Sequence, residues 1–232
     1  MMMLKRLLIP VLLTLAVLPA SAQIGAPRRT FAIGGNIGAT SSSIDFSPKI
    51  KQQMYLGNTF GVTARYTSEK YFFLICAAQL EINYSDRGWN ELIKDGSGNE
   101  YSRRIPYIEM PFFAHLGIGR EARGVQWFLN LGPQIGYALN SIEKMGGTGP
   151  WDTSMRPNKV TEQYGKPLDH KFEYGIAAGT GIEIKSKAGN FIAEGRYYFG
   201  LSDIFGNSKK DFFGRSANMV IYAKLAYMIE WK

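Results

Sequence analysis

Residues 125–140 alternate without a break. Val125, Trp127, Leu129, Leu131, Pro133, Ile135, Tyr137 and Leu139 share one parity. Gln126, Phe128, Asn130, Gly132, Gln134, Gly136, Ala138 and Asn140 share the other. A β-strand turns successive side chains to opposite faces, so this segment has one apolar face and one small or polar face. It runs far past the usual strand of about five or six residues. Behind an export signal, a strand of that length predicts a wall stave of an outer-membrane barrel.

The export signal is the leader. Lys5 and Arg6 form its charged start, residues 7–18 its apolar stretch, and Ala20-Ser21-Ala22 a small-residue cleavage site. The apolar stretch is short and contains Pro10, and no other segment reaches the ~20 apolar residues of a spanning helix. Gln23 stands where a lipoprotein would need a cysteine, which argues against a lipid anchor. The expected division is a signal peptide over residues 1–22 and one barrel domain over residues 23–232. Loss of Lys5 and Arg6 takes Lys+Arg from 27 to 25 against 19 acids, a mature charge of about +6. These charges are scattered, with no run of five like charges, which argues against nucleic acid; contact with outer-membrane lipid and lipopolysaccharide is the expected partnership, with a plain solvated surface the competing and stronger reading of the charge. Cys76 stands alone, so no intramolecular disulfide forms.

Seven further segments alternate in the same way, over residues 31–39, 56–66, 71–84, 107–116, 171–184, 191–201 and 218–231. Short connections (67–70, 117–124 and about 185–190) alternate with long ones (40–55, 85–104, 141–170 and 202–217). The expected fold is therefore all-β, an eight-stranded antiparallel transmembrane β-barrel with short periplasmic turns and long outer loops. An even strand count puts both termini in the periplasm.

Alternation alone fits a soluble barrel with its apolar set turned inward. Three features favour lipid outside. Every Asp, Glu, Lys and Arg within these segments falls on the small/polar parity; a cation on the lipid face costs about 2–4 kcal/mol near the midplane, and a soluble exterior has no reason to exclude charge. Glycines concentrate on the polar parity, at Gly57, Gly61, Gly132, Gly136, Gly175, Gly179 and Gly181, as a crowded interior requires. Aromatics sit near the ends of the apolar parity: Tyr66, Trp127, Tyr227 and Trp231 toward one boundary, Tyr84, Tyr137, Tyr174 and Tyr197 toward the other. Pro111 and Pro133 lie inside expected strands, where bulges are the expected accommodation.

Eight strands leave an interior just filled by side chains. Arg65, Glu81, Glu109, Glu173, Glu183, Glu194, Arg196 and Lys224 point into it and are expected to form a paired charge network; a narrow ion or proton path through that network is the sharper alternative, which nothing in the spacing demands. No metal, cofactor or catalytic centre is expected. His115 and His170 belong to opposite ends of the barrel, roughly 25 Å apart, and Gly117-Ile118-Gly119 and Gly179-Thr180-Gly181 are too sparse for a phosphate loop. His170, with Asp169 beside it and Ser202 or Asp203 across the rim, is the one arrangement placed as in a lipid A-modifying barrel enzyme. Adjacent strand residues point apart, which argues against Asp169 orienting it. Trp89 and Trp151, in the long loops, are candidate exposed contacts, with local packing the competing role.

Several segments together resemble the PorT-like outer-membrane barrels of Bacteroidota. They are Phe46-Ser47-Pro48, Arg65-Tyr66-Thr67-Ser68-Glu69-Lys70, Leu80-Glu81-Ile82-Asn83-Tyr84-Ser85-Asp86-Arg87-Gly88-Trp89 and Tyr107-Ile108-Glu109-Met110-Pro111-Phe112. Leu129-Asn130-Leu131-Gly132-Pro133-Gln134-Ile135-Gly136-Tyr137 and Glu194-Gly195-Arg196-Tyr197-Tyr198-Phe199-Gly200-Leu201-Ser202-Asp203-Ile204-Phe205 complete the series. The resemblance implies an eight-stranded outer-membrane barrel and, as in the founding members, a non-enzymatic accessory role in type IX secretion. That role carries other secretion-system proteins as partners. A structural or adhesive barrel with no secretion link is the alternative expectation, and a lipid A-modifying enzyme the third.

Overall fold

The structure, a computed structural model, describes residues 29–71, 73–120, 123–148, 150–154, 156 and 159–231. The expected leader lies outside the described residues, as does Phe72. Nine strands form among them: β1 (Thr30–Ser47), β2 (Gln52–Tyr71), β3 (Leu74–Glu91), β4 (Asn99–Gly119), β5 (Gly124–Ala138), β6 (Ile142–Gly147), β7 (Phe172–Ser186), β8 (Gly189–Asp203) and β9 (Arg215–Trp231). Every pairing is antiparallel. The order runs β3-β2-β1-β9-β8-β7-β5-β4, and a β3–β4 pairing closes the ring. β6 pairs with the outer part of β4 alone.

The ninth strand does not add a stave. β5 leaves β4 at Ala138 opposite Tyr107, and β6 joins it at Ile142 opposite Arg104. One more residue is spent on the β5–β6 side than on the β4 side, so β6 continues the β5 stave past a one-residue bulge. The wall has the expected eight staves, the fifth broken in two.

The facing follows the parity. On β5, Leu131 is 53% exposed while Asn130 is fully buried. Outward on the other staves stand Ile37, Phe60, Ile82, Phe112, Ile176, Tyr197 and Leu225, all exposed. Inward stand Asn36, Arg65, Glu81, Glu109, Glu173, Arg196 and Lys224, all buried. A barrel charged inside and apolar outside is built for a hydrocarbon solvent. Register also aligns aromatics across staves: Phe31 lies opposite Tyr66 on one side and Trp231 on the other. Interior glycines make room for large neighbours, since a side chain at Gly175 would strike the Tyr198 ring and one at Gly179 the Glu194 carboxylate.

Two expectations need correction. The bulges do not fall at the prolines. Register runs unshifted past Pro111 and Pro133, and each removes rungs from one seam: β3–β4 between Leu80↔Phe112 and Asn83↔Glu109, β4–β5 between Pro111↔Gln134 and Ala114↔Leu131. The missing amide hydrogen deletes a rung without displacing the chain. The register shifts lie instead in β2–β3, at Met54/Thr59 and Thr67/Glu69, and in β8–β9, at Phe199/Asp203. The second correction concerns the outer loops, much of which is strand. β1 continues through Thr40-Ser41-Ser42-Ser43 to Ser47, β3 runs to Glu91, and β4 begins at Asn99. Above the membrane both faces of a stave meet polar surroundings, so hydrophobic alternation fades while the ladder continues.

If the apolar parity faces lipid, Leu131→Arg lowers folding stability by about 2–4 kcal/mol in a bilayer. Urea titration of the barrel refolded into vesicles measures this; unchanged stability would reject the assignment.

Candidate functional site

The lumen is filled by two charge clusters set between apolar layers. The lower cluster centres on Arg196 of β8, reaching Glu81 through Nη1 and Nη2 at 3.0 and 2.7 Å, and Glu194 through Nε at 2.9 Å. Lys224 Nζ donates to the same Glu81 at 2.6 Å. Gln79 and Asn83 donate to Glu81 as well, at 2.6 and 2.9 Å. Arg65 bonds Gln79 at 2.9 Å and Glu183 at 2.5 Å. Three cations thus meet three carboxylates, and buried charge is tolerated where it is paired and hydrogen-bonded. The Arg196 guanidinium lies 4.5 Å from the centre of the Phe113 ring.

The upper cluster centres on Arg87. Its Nε donates to Glu109 at 3.0 Å, its Nη1 to Glu173 at 2.9 Å and its Nη2 to the Tyr222 hydroxyl at 2.8 Å. The Tyr107 and Tyr198 rings cover the guanidinium at 4.8 and 4.7 Å. Here two carboxylates face one cation. Neutral donors take up the rest: Tyr222 and Gln134 donate to Glu109, and Asn218 to Glu173 at 2.6 Å.

Of the residues expected in the lumen, Arg65, Glu81, Glu183, Glu194, Arg196 and Lys224 come together in the lower cluster. Glu109 and Glu173 join the upper one. Arg87, fully buried, was not among them because it lay in a segment expected to be loop. The signal that finds it is the inward parity of the third strand, which continues from Glu81 and Asn83 through Ser85, Arg87 and Trp89.

Apolar side chains cluster toward both ends of the lumen, and at the end nearest the chain termini they stand beside the buried Lys185, 3.9 Å from Glu230. Ala32, Phe128, Ile192 and Met228 pack together at the end nearest the chain termini. Ile44, Phe46, Trp89, Tyr101, Ile105, Phe205 and Phe213 belong to the cluster at the other end, within the strand extensions. The cavity against Asn36, Arg65, Glu81 and Lys224 measures about 10 Å³, room for about one water.

Described residues of the segment between β6 and β7, among them Val160, Tyr164 and Leu168, pack on the outer cluster. Arg103, stacked over Trp89 at 5.5 Å, bonds Glu143 at 2.7 Å and the Lys166 carbonyl at 2.6 Å. Glu91 accepts from the Tyr164 hydroxyl at 2.9 Å and from Gln163 at 3.1 Å. Arg156 bonds Asp95, and Trp151 packs edge-on to Tyr164 at 5.1 Å. The two tryptophans therefore part company. Trp89 is fully buried, which corrects the expectation of an exposed contact there; it sits on an inward-facing parity beneath the cap. Trp151 is partly exposed at the rim.

The rim arrangement around His170 lines a cleft of about 500 Å³ with Asp169, Lys171, Phe172, Tyr174, Leu201, Ser202, Asp203 and Asn207. Its polar groups do not form a relay. His170 Nδ1 lies 3.2 Å from the Asp203 carbonyl, the Asp169 carboxylate accepts from the Gly206 amide at 2.7 Å, and the Ser202 hydroxyl contacts the Tyr174 backbone. Among the described residues no group of three or more His, Cys, Asp or Glu could hold a metal ion. His115 is buried low in the lumen, its Nδ1 2.7 Å from Asn130.

A closed antiparallel ring, charge-filled within and apolar without, defines an integral outer-membrane β-barrel. The chain belongs to the outer membrane protein beta-barrel domain family, whose signature matches residues 21–206. Its structure is similar to Neisserial surface protein A, at 11% identity and a TM-score of 0.45, over 87% of this chain and 97% of that one. It is also similar to the outer membrane protein OprG of Pseudomonas aeruginosa, at 12% identity and 0.41, over 88% and 98%. The attachment invasion locus protein Ail of Yersinia pestis follows, at 13% identity and 0.36, over 86% and 99%. No curated protein sequence matches the chain significantly.

Removing Arg87 leaves two buried carboxylates without their cation. Arg87→Met is expected to cost about 3–5 kcal/mol in urea unfolding, and adding Glu109→Gln and Glu173→Gln to recover most of it. A loss below about 1 kcal/mol would show that the cluster is not paired as described. In the cap, hydrogen bonds from the Ser97 hydroxyl and amide, with Arg156 beside them, hold the Asp95 carboxyl down at about 2. A lowered folded value means that the tie is complete above about pH 4, where a free carboxylate is ionised, and is lost as pH falls through about 2. Proteolysis of residues 150–168 should rise over that window and, in Asp95→Asn, be high already at neutral pH. A pH-independent pattern in the parent protein would overturn this.

Proposed function

We propose that this protein is a sealed, non-enzymatic outer-membrane barrel of PorT type that supports type IX export of sorting-domain proteins, with its outer cap as the working surface. One observation carries the sealed platform: the two charge clusters, centred on Arg87 and Arg196, fill the lumen between apolar layers, so work falls to what lies outside it. The unconnected rim groups around His170 support a role without bond-making chemistry. The secretion role rests on the PorT-like segments quoted above, several of which coincide with structural features: Arg87 and Trp89 lie under the cap, and the segment from Glu194 holds Arg196. The leader is removed on export, both termini lie in the periplasm, and outer-membrane lipid and lipopolysaccharide surround the wall.

A second reading, a structural or adhesive barrel, is favoured by the length of β1 to β4, which carry ordered structure well beyond the apolar band. Deleting the gene and measuring sorting-domain proteins in the culture supernatant separates the two. Loss of secretion, restored by the intact gene, is expected. Unchanged secretion with altered surface binding or envelope integrity would sink the export role and favour the second reading.

A further inference from the structure

A closed barrel has no free strand edge, because each stave is bonded on both sides. β6 breaks that rule. It pairs with β4 through Asn99↔Gly147 to Arg104↔Ile142. The next stave, β7, starts at Phe172 opposite Tyr137 and does not rise to meet it. The phase of the ladder says which groups are left over. The Thr148 amide donates to the Gly98 carbonyl at 3.2 Å, so the backbone of Thr148 faces β4. Strand backbone groups alternate in direction, so Ile142, Lys144 and Gly146 also face β4, while Glu143, Met145 and Gly147 direct N–H and C=O to the open side. Among the described residues no backbone group pairs with them there.

The side chains leave this edge accessible. Glu143 turns inward, to Arg103 at 2.7 Å and the Gly165 amide at 2.9 Å, which ties Gly165 to the inner side of the strand. Ile142 and Lys144 share the outer face; both are exposed, and Lys144 has no partner among the described residues.

A second copy in the same membrane cannot pair its own β6 antiparallel to this edge. Two barrels in one bilayer are related by an axis along its normal, which preserves the rising direction of a strand. β6 continues a tilted, rising stave, so the copies would present it in the same sense, whereas antiparallel pairing needs opposite senses.

We propose that the free edge of β6 captures an extended segment of a different polypeptide by strand addition. The segment lies antiparallel to Ile142–Gly147, with an acidic side chain opposite Lys144 and an apolar one opposite Ile142, two residues apart on one face. Backbone bonds to Glu143, Met145 and Gly147 supply the affinity, and the acid–lysine and apolar pairs set the register. The inference rests on the reading of the outer cap as the working surface and names the kind of partner that surface takes.

The full-length protein in nanodiscs provides the test, probed with an acetylated octapeptide of alternating valine and threonine carrying one central glutamate. Deuterium exchange at the Glu143, Met145 and Gly147 amides should slow about tenfold at saturating peptide. The same peptide N-methylated at alternate amides should have no effect. Met145→Pro removes an open-side N–H and spares the β4 bonds, so it should abolish protection while the Lys144 and Gly146 amides stay protected. Lys144→Glu, a surface change that leaves the ladder intact, should weaken the glutamate peptide about tenfold, with a lysine-bearing peptide restoring binding. No protection in the parent protein, or protection indifferent to N-methylation, would overturn the proposal. Edge protection measured in a protein whose deletion leaves secretion unchanged would sink the export role alone.

Discussion

Everything in this molecule depends on the β1–β9 pairing, which turns a sheet into a ring. From Phe31↔Trp231 to Ser47↔Arg215 the first and last staves are bonded along their full length. Hydrocarbon offers a backbone amide no partner, so an unpaired edge there would cost several kcal/mol per group. Closure removes that cost, and in doing so fixes what is inside. Eight staves enclose a space too small to stay open and too polar, on this sequence, to pack as an oil drop. The interior must therefore be a network of matched charges.

The network is divided by chemistry. Arg196 and Lys224 share Glu81 in a neutral lower cluster. Arg87 alone holds Glu109 and Glu173, helped by tyrosine hydroxyls and amides. Phe113 lies against Arg196, and Tyr107 and Tyr198 against Arg87, so aromatic faces insulate each guanidinium where no oxygen is available. The Arg87 cluster ties β3, β4, β7 and β9 across the lumen, joining staves that are not neighbours in the ring.

How much of this was legible depended on which physical signal survived in each segment. Where lipid meets one face and the lumen the other, as at Leu131 and Asn130, alternation was sharp and the facing could be read. So could the lumen membership of Arg65, Glu81, Glu109, Glu173, Glu194, Arg196 and Lys224, though not their sorting into two clusters, which depends on stagger between staves. Above the membrane the contrast disappears, and Thr40-Ser41-Ser42-Ser43 carries no hydrophobic code for the strand it forms. That fading hid Arg87 and Trp89, and it hid the strand character of Ile142–Gly147. The prolines misled in the other direction: a residue that deletes a rung suggested a bulge, but neighbouring rungs held the register.

The apolar layers at the two ends of the lumen also bear on the cell as a whole. A barrel with an open bore adds leakage with every copy inserted, so its abundance trades against the barrier that the outer membrane provides. On the proposal of a sealed platform, with Phe128 and Met228 packed at one end and Phe46, Trp89 and Phe205 at the other, each copy occupies membrane area without adding conductance. Its copy number is then free to follow demand for its outer surface, untouched by the permeability of the envelope.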